Sequence, residues 1–169
     1  MNISFPGDTK VEDVFKAITE QTSAAIRISH IDSKRPWGGF LVIDEEDIDV
    51  FMYQFFPHLK KEDLGTGKLS PKILIVAPTK RLSWQYHHRR AEIWKVIGGQ
   101  VGVVTSESDK EGDKKVLQTG DVIELKKGER HRLMGLQDWG IVAEIWKHTD
   151  AANPSDEEDI VRLQDDFGR

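Results

Sequence analysis

The sequence predicts a mainly β protein, a β-sandwich or barrel with an N-terminal helical arm. From residue 72 onward, short apolar runs alternate with turn signals at intervals of roughly 8–12 residues, the spacing of all-β domains. Before residue 57, two stretches show the helical spacing of apolar residues instead. The 169 residues are enough for one domain with a sizeable core.

The arm is predicted to begin with a helix over residues 9–23. Thr9 and Glu12 form the pattern of a capping box, and apolar residues follow at helical spacing. A second helix is predicted over residues 44–56, followed by a Gly-rich loop at Leu64–Lys68.

Short β-prone segments account for the rest of the chain. Ala24–Ile31 and Phe40–Ile43 lie on either side of a turn at residues 35–39. Eight further strands are predicted, at Lys72–Ala77, Arg81–His88, Glu92–Ile97, Gln100–Thr105, Lys115–Leu117, Asp121–Leu125, His131–Leu136 and Ile141–Lys147.

Composition excludes several classes of protein. The net charge of −5 is carried entirely by residues 150–169, so the rest of the chain is neutral and lacks the basic surplus that nucleic-acid binding needs. We expect this acidic tail to be solvated. The absence of Cys excludes disulfides, thiolate metal sites and cysteine catalysis. Neither a signal peptide nor a membrane-spanning run is evident, so a cytoplasmic protein without a membrane partner is expected.

Four residues of types that bind metal ions stand at positions that are compatible with one shared site. Strand alternation places Gln85 and His87 on one face, and Glu92 follows after room for a tight turn. His131 comes later, behind a Gly-rich stretch. An amide oxygen, two imidazoles and a carboxylate suit zinc or another borderline divalent ion, with positions left open for water or substrate. Taken singly, His131 is more typical of a surface or core histidine, His87 is compatible with a polar strand residue, and Glu92 carries no signal; only their combination indicates a metal site.

Two segments of the chain resemble the paired motifs of the cupin superfamily. The first is Gln85-x-His87-x₄-Glu92-x₅-Gly98, with Gln where the family usually has His. The second is Gly120-x₅-Lys126-x-Gly128-x₂-His131, with Lys where proline is usual.

A narrower resemblance is to the isomerase domain of type II phosphomannose isomerases. The segments that carry it are Arg35-Pro-Trp-Gly38, Leu82-Ser-Trp-Gln-Tyr-His-His-Arg-Arg-Ala-Glu-Ile-Trp94, Gly128-Glu-Arg-His-Arg-Leu133 and Asp159-Ile-Val-Arg-Leu-Gln-Asp-Asp-Phe-Gly-Arg169. The resemblance implies a double-stranded β-helix, or jelly roll, over residues 35–169. This cupin domain would include a helical insertion near 44–68 and the tail 150–169, with residues 1–34 as an arm packed on the barrel.

The resemblance also implies an activity: interconversion of mannose 6-phosphate and fructose 6-phosphate through an enediolate, in a homodimer with one divalent ion per chain. Zinc is the first choice, with manganese, cobalt and nickel as alternatives. The implied ligands are Gln85, His87, Glu92 and His131.

Further site residues follow from the same resemblance and from the chemistry. Arg90 matches an arginine implicated in catalysis, and Glu144 is the first candidate for the general base. Lys80, Arg162 and Arg169 are candidates to bind phosphate. The alternatives are structural: an edge-strand surface carboxylate for Glu144, and an ion pair with Glu92 or the tail for Arg90. Where the family has Glu-Val-Gln, this chain has Glu144-Ile145-Trp146, so the substrate can differ.

Two other functions stay open. One is a module of the same fold that binds a sugar or sugar nucleotide without turnover. The other is a different cupin enzyme, such as an epimerase or an iron dioxygenase, although Gln85 weighs against a His-rich iron site.

Overall fold

Two antiparallel sheets face each other in the computed structural model, which describes residues 3–65 and 67–169. This confirms the predicted jelly-roll barrel with its N-terminal helix. The strands are β1 (Ile28–Arg35), β2 (Gly38–Ile43), β3 (Leu69–Val76), β4 (Trp84–His87), β5 (Arg90–Gly98), β6 (Gln100–Ser106), β7 (Lys115–Gln118), β8 (Val122–Leu125), β9 (Arg130–Gly135), β10 (Gly140–His148) and β11 (Ile160–Gln164). The helices are α1 (Val11–Ser23) and α2 (Ile48–Phe55), and 3₁₀ turns lie at Glu45–Asp47, Lys61–Leu64 and Glu157–Asp159.

The large sheet has the order β1-β2-β3-β10-β5-β8, and the small sheet has the order β11-β4-β9-β6-β7. All eight strands predicted after residue 72 are present, with ends that differ by at most a few residues. None of the helices within the described residues is long and apolar enough to cross a membrane.

The first helix is present, but its predicted capping box is wrong. The helix begins at Val11, with Lys10 in the extended N-cap position, and no side chain of the described residues caps it. Thr9 instead closes a turn in which its N–H donates to the Pro6 carbonyl, 3.0 Å away. The turn places Thr9 one residue outside the N-cap, too early for its hydroxyl to cap the helix.

The second predicted helix is divided into a 3₁₀ turn and α2. It occupies the connection between β2 and β3, where the helical insertion was predicted. In the predicted Gly-rich loop, Thr66 lies outside the described residues, as do Met1 and Asn2 of the arm. The predicted boundary between arm and cupin domain, at residues 34 and 35, falls inside β1, which pairs with β2.

The prediction of a solvated tail is confirmed for most of its carboxylates but is wrong for Asp159. Strand β11 pairs with β4, so the end of the chain completes the small sheet. Asp159 is buried, and its carboxylate accepts hydrogen bonds from the backbone N–H groups of His88 and Arg89, at 3.1 and 2.9 Å. These N–H groups at the β4–β5 turn need acceptors, and the tail supplies them.

The large sheet has two different faces. Its outer face packs aliphatic side chains against the helices; examples are Ile73, Ile75, Ile141, Ala143 and Ile145. Its inner face, which alternates with the outer one along each strand, looks across to the small sheet. Lys72, Glu144 and Trp146 belong to this inner face, where the functional groups collect.

Candidate functional site

The pairing of β3, β10 and β5 aligns the inner side chains in rows. Glu144 on β10 is directly opposite Lys72 on one neighbour and Trp94 on the other. One step along, Trp146 is opposite Glu92. Directly opposed residues have Cβ atoms about 5 Å apart and share a face, so the pairing itself brings these groups together.

Three buried side chains form a cluster that could hold a metal ion. Ligand atoms of His87, Glu92 and His131 all lie within 4.8 Å of one another. The Glu92 carboxylate is between the two imidazoles: its Oε1 is 3.1 Å from His87 Nε2, and its Oε2 is 3.5 Å from His131 Nε2. Each of the three residues is only 2% exposed.

Both imidazoles are oriented from outside the cluster. His87 Nδ1 donates to the Asp159 carbonyl at 3.2 Å, and His131 Nδ1 donates to the Glu129 carbonyl at 3.0 Å. In the neutral form of each ring, Nε2 is then the nitrogen with the lone pair, and it lies on the side of Glu92. Backbone carbonyls hold metal-ligating histidines in this way in known metal sites.

His131 Nε2 is buried, and no atom of the described residues forms a hydrogen bond with it. Such an orphaned acceptor is costly unless something occupies the position in front of it. Burial lowers the pKa of His131 to about 4, against the pull of Glu92, so its imidazole is neutral at pH 7. Burial acts to raise the pKa of Glu92, yet His87 and His131 in their protonated forms, together with Arg90, hold it well below its ordinary value. A neutral imidazole and an ionised carboxylate are the ligand forms that a divalent ion needs, so these residues fit a metal.

Gln85, the fourth predicted ligand, lies next to the cluster. Its amide nitrogen is 3.4 Å from His87 Nε2, and its oxygen accepts from the Ser83 hydroxyl at 2.5 Å. A half-turn of the amide would present the oxygen to the cluster. The structure thus brings all four predicted ligands together, while coordination by them stays a prediction.

A cavity opens beside the cluster, between the inner face of the large sheet and the tail. Its aromatic wall consists of Trp37, Phe40, Trp94 and Trp146. Its charged groups are Arg35, Lys72, Glu92, Arg90, Glu144, Glu157, Arg162 and Arg169. A cavity with this many cations suits an anionic ligand, and its aromatic rings can pack against the C–H faces of a sugar.

Glu144 lines this cavity from the middle of the large sheet. It is 4% exposed, so the alternative of an edge-strand surface carboxylate is wrong. Burial, together with the charge of Glu92, raises the pKa of Glu144 to about 8. The Trp94 indole N–H donates to its Oε1 at 3.0 Å.

Arg90 connects the cluster to the tail. Its Nε donates to Glu92 Oε1 at 2.8 Å, and its Nη2 donates to His87 Nε2 at 3.2 Å. Its Nη1 donates to the Ser155 hydroxyl and to the Asp156 carbonyl, both at 3.0 Å. Both structural alternatives for Arg90 are therefore present: the ion pair with Glu92 and the contacts with the tail. The guanidinium also lies next to the candidate metal position.

The three predicted phosphate ligands have different surroundings. Arg162 lines the cavity from β11, opposite Gln85, and no carboxylate of the described residues forms an ion pair with it. Arg169 also lines the cavity, with Asp165 as its partner at 3.0 Å. Lys80 is exposed in the turn between β3 and β4 and does not line the cavity, because the chain has left the inner face before it reaches that residue.

Three charged residues that line the cavity were not predicted as site residues: Arg35, Lys72 and Glu157. Lys72 and Glu157 form an ion pair of 2.7 Å between Nζ and Oε1. Lys72 is the first residue of a predicted strand, and its inward direction could have been read from the outward Ile73 and Ile75. For Glu157, in the tail, the sequence offers no such signal.

A family model described as "Mannose-6-phosphate isomerase C-terminal" matches residues 48–165. Two mannose-1-phosphate guanylyltransferases are similar over 94% of this chain, that of Escherichia coli at 30% identity and that of Salmonella typhimurium at 28%. The chain spans only 28% of the length of either relative.

Solved structures share the fold at low identity. A mutant oxalate decarboxylase of Bacillus subtilis aligns with a TM-score of 0.55 and 13% identity, over 79% of this chain and 30% of that one. Tomato vicilin aligns with a TM-score of 0.51 and 20% identity, over 79% and 34%. The fold is that of the cupins.

Proposed function

Because the chain belongs to the family of mannose-6-phosphate isomerase C-terminal domains, we propose that it is a metal-dependent isomerase that interconverts mannose 6-phosphate and fructose 6-phosphate. One observation carries the proposal: two buried imidazoles and a carboxylate converge at the edge of a cavity that also holds a proton-accepting carboxyl group and several arginines. The similarity to enzymes of mannose phosphate metabolism supports this choice of substrate.

Aldose–ketose isomerisation moves a proton between two neighbouring carbons and generates negative charge on their oxygens. A divalent ion held by His87, Glu92 and His131, with Gln85 as fourth ligand, would supply a positive charge that stabilises these oxygens. Zinc is the first ion to test. Arg90 adds a permanent positive charge next to the same position and orients Glu92.

Glu144 is the proposed base. Its raised pKa lies close to neutrality, so the carboxylate can take the proton from C2 and return it to C1 without a large free-energy cost. The Trp94 N–H holds one carboxyl oxygen, which leaves the other available to the substrate. Such a base contributes about 10²–10⁴-fold to the rate.

Arg162 is the proposed anchor of the phosphate group. It lacks an ion-pair partner among the described residues, although the charges of Arg169, Asp165, Glu157 and Arg35 all act on it. A guanidinium binds two phosphate oxygens at once, which fixes the far end of the sugar. Lys80 is left out of this proposal because it does not line the cavity.

The first experiment is an isomerase assay on mannose 6-phosphate, with zinc-loaded and chelated protein compared directly. We expect turnover that chelator removes and zinc restores. Arg162→Ala is expected to raise KM for the sugar phosphate at least tenfold, whereas Lys80→Ala, the matched control, leaves it unchanged. A zinc-loaded protein that binds the sugar phosphate without converting it would instead indicate a binding module.

The predicted homodimer and the predicted cytoplasmic location stay predictions. Gel filtration with light scattering tests the first.

A further inference from the structure

The ion pair of Lys72 and Glu157 has no role in the reaction proposed so far. The Lys72 side chain is 8% exposed, and its ammonium lies 3.5 Å from the centroid of the Trp146 ring and 5.0 Å from that of Phe40. The Glu157 side chain, by contrast, is 56% exposed. Both residues line the cavity, the ammonium on a buried side chain and the carboxylate on one that is half-exposed to solvent.

Lys72 is also directly opposite Glu144 on the neighbouring strand, with both side chains on the inner face. A sugar within reach of the proposed base is therefore within reach of the ammonium as well.

A six-carbon sugar phosphate exists mainly as a ring, whereas isomerisation needs the open chain with its free carbonyl. Opening the ring requires one proton at the ring oxygen and the loss of another from the anomeric hydroxyl. These transfers are distinct from the carbon-to-carbon transfer assigned to Glu144, so they need their own acid and base.

The described residues of the cavity leave few candidates for this pair. Arginine keeps its protons under all relevant conditions, and the indole N–H is a donor that is not released. Glu92 belongs to the candidate metal cluster, and Glu144 is assigned to the carbon-bound proton. Among the ionisable groups of the cavity, the ammonium of Lys72 and the carboxylate of Glu157 remain, already in contact.

We propose that Lys72 and Glu157 open the sugar ring, so that the protein also exchanges the α and β anomers of its sugar phosphate. The proposal rests on the proposed function, since it assumes the same substrate in the same cavity. Lys72 Nζ gives a proton to the ring oxygen as the bond between this oxygen and the anomeric carbon breaks. Glu157 takes the proton of the anomeric hydroxyl, and the electron pair of that O–H bond forms the carbonyl.

The number of protons is conserved within the pair of Lys72 and Glu157. One proton enters the sugar and one leaves it, so the amine becomes neutral and the carboxylate becomes protonated. Because Nζ and Oε1 are 2.7 Å apart, the proton passes directly from Glu157 back to Lys72. Ring closure on the other face of the carbonyl then gives the opposite anomer.

Anomer exchange can be measured separately from isomerisation, by NMR exchange spectroscopy on mannose 6-phosphate. We expect wild-type, zinc-loaded protein to accelerate exchange in proportion to its concentration. Lys72→Arg keeps the charge but cannot release a proton, and Glu157→Gln keeps the shape but loses the base. Both are expected to lower the enzymatic exchange rate at least tenfold, whereas Lys80→Arg, outside the cavity, retains it. Since Glu157 is half-exposed, its variant tests the proposal even if the buried lysine is needed for folding.

A second assay uses 5-deoxyfructose 6-phosphate, which lacks the hydroxyl that closes the furanose ring and is therefore always open. Lys72→Arg is expected to lower kcat/KM for fructose 6-phosphate by about 10²-fold relative to kcat/KM for this analogue. Equal losses on both substrates would overturn the proposal, because they would indicate that Lys72 only binds the substrate.

Wild-type protein that isomerises fructose 6-phosphate while anomers exchange at the spontaneous rate would also overturn the ring-opening proposal. Enzymatic anomer exchange without isomerisation of either substrate would support it and contradict the proposed isomerase instead.

Discussion

The two faces of β10 differ in nearly every physical respect, although they alternate residue by residue. The outer face presents Ile141, Ala143 and Ile145, all fully buried in an aliphatic cluster against the helices. The inner face presents Glu144 and Trp146, a carboxyl group with a raised pKa and an indole between two cations. One strand thus stabilises the fold through Ile141, Ala143 and Ile145 and serves the site through Glu144 and Trp146. Substitutions on the two faces are expected to separate stability from activity.

The largest effect is expected from His131→Ala. The variant removes a neutral imidazole whose lone pair faces Glu92, so the cluster keeps only two of its three close donors. We expect loss of zinc binding in a chelator-competition titration, together with loss of isomerase activity. His88→Ala, which changes an exposed imidazole in the turn between β4 and β5, is the control. Full activity in His131→Ala would contradict the assigned ligand set.

Glu144→Gln is expected to lower kcat by about 10²–10⁴-fold and to leave the fold intact. The amide keeps the shape and the hydrogen bond from Trp94 but cannot accept the proton. Stability is not expected to fall, since the variant removes a group whose charge is costly to bury. A variant that loses both activity and cooperative unfolding would show that the two faces are not separable.

The same carboxyl group predicts a dependence on pH. The charged form of Glu144 is the working base, so its population rises as pH rises through about 8 in the metal-free protein. A divalent ion would offset the charge of Glu92, which helps to raise this pKa, so loading with zinc is expected to move the titration to lower pH. NMR titration of the side-chain carboxyl carbon in both states measures the shift. A titration that zinc leaves in place would contradict the coupling.

Asp159→Ala tests whether the tail, which lies outside the large sheet, positions the metal-binding residues of the site. The carboxylate holds the N–H groups of His88 and Arg89 and accepts from the Ser155 hydroxyl at 2.6 Å. We expect the variant to loosen the carbonyl that orients His87 and to weaken zinc binding by about 10–100-fold. Asp166→Ala, which affects an exposed ion pair in the same tail, serves as control. Equal zinc affinity in both variants would show that the tail does not position the ligand.

The smallest effect on the site is expected from Ile145→Val on the outer face. Removal of one buried methylene costs about 0.5–1.5 kcal/mol of unfolding free energy, measured by denaturant titration. Zinc affinity and kcat are expected to stay at wild-type values. A change in either would mean that the inner face responds to packing on the outer one.

The sequence predicted those features that depend on local spacing. The offsets of Gln85, His87 and Glu92 follow from strand alternation and a tight turn, and His131 follows from a motif of fixed length. The residues predicted to bind phosphate show what local spacing does not predict. Arg162 lines the cavity because β11 pairs with β4. Lys80 lies outside the cavity because it belongs to the turn between β3 and β4.

Both of these outcomes depend on which distant strands pair, and local patterns carry no information about that. The buried Asp159 shows the same limit, because its burial results from partners some 70 positions away in the chain. An acidic segment read alone indicates solvent exposure.

Trp94 gives the protein an optical reporter of its own site. Its indole N–H binds Glu144, and its ring meets the His131 ring edge-on at 5.4 Å. Indole emission responds to nearby charge and to the strength of its hydrogen bond, so both the proton on Glu144 and an ion at His131 act on the same fluorophore. Trp94→Phe would identify its share of the emission. Ion uptake and base titration can therefore be followed in the unlabelled protein, before any substrate is added.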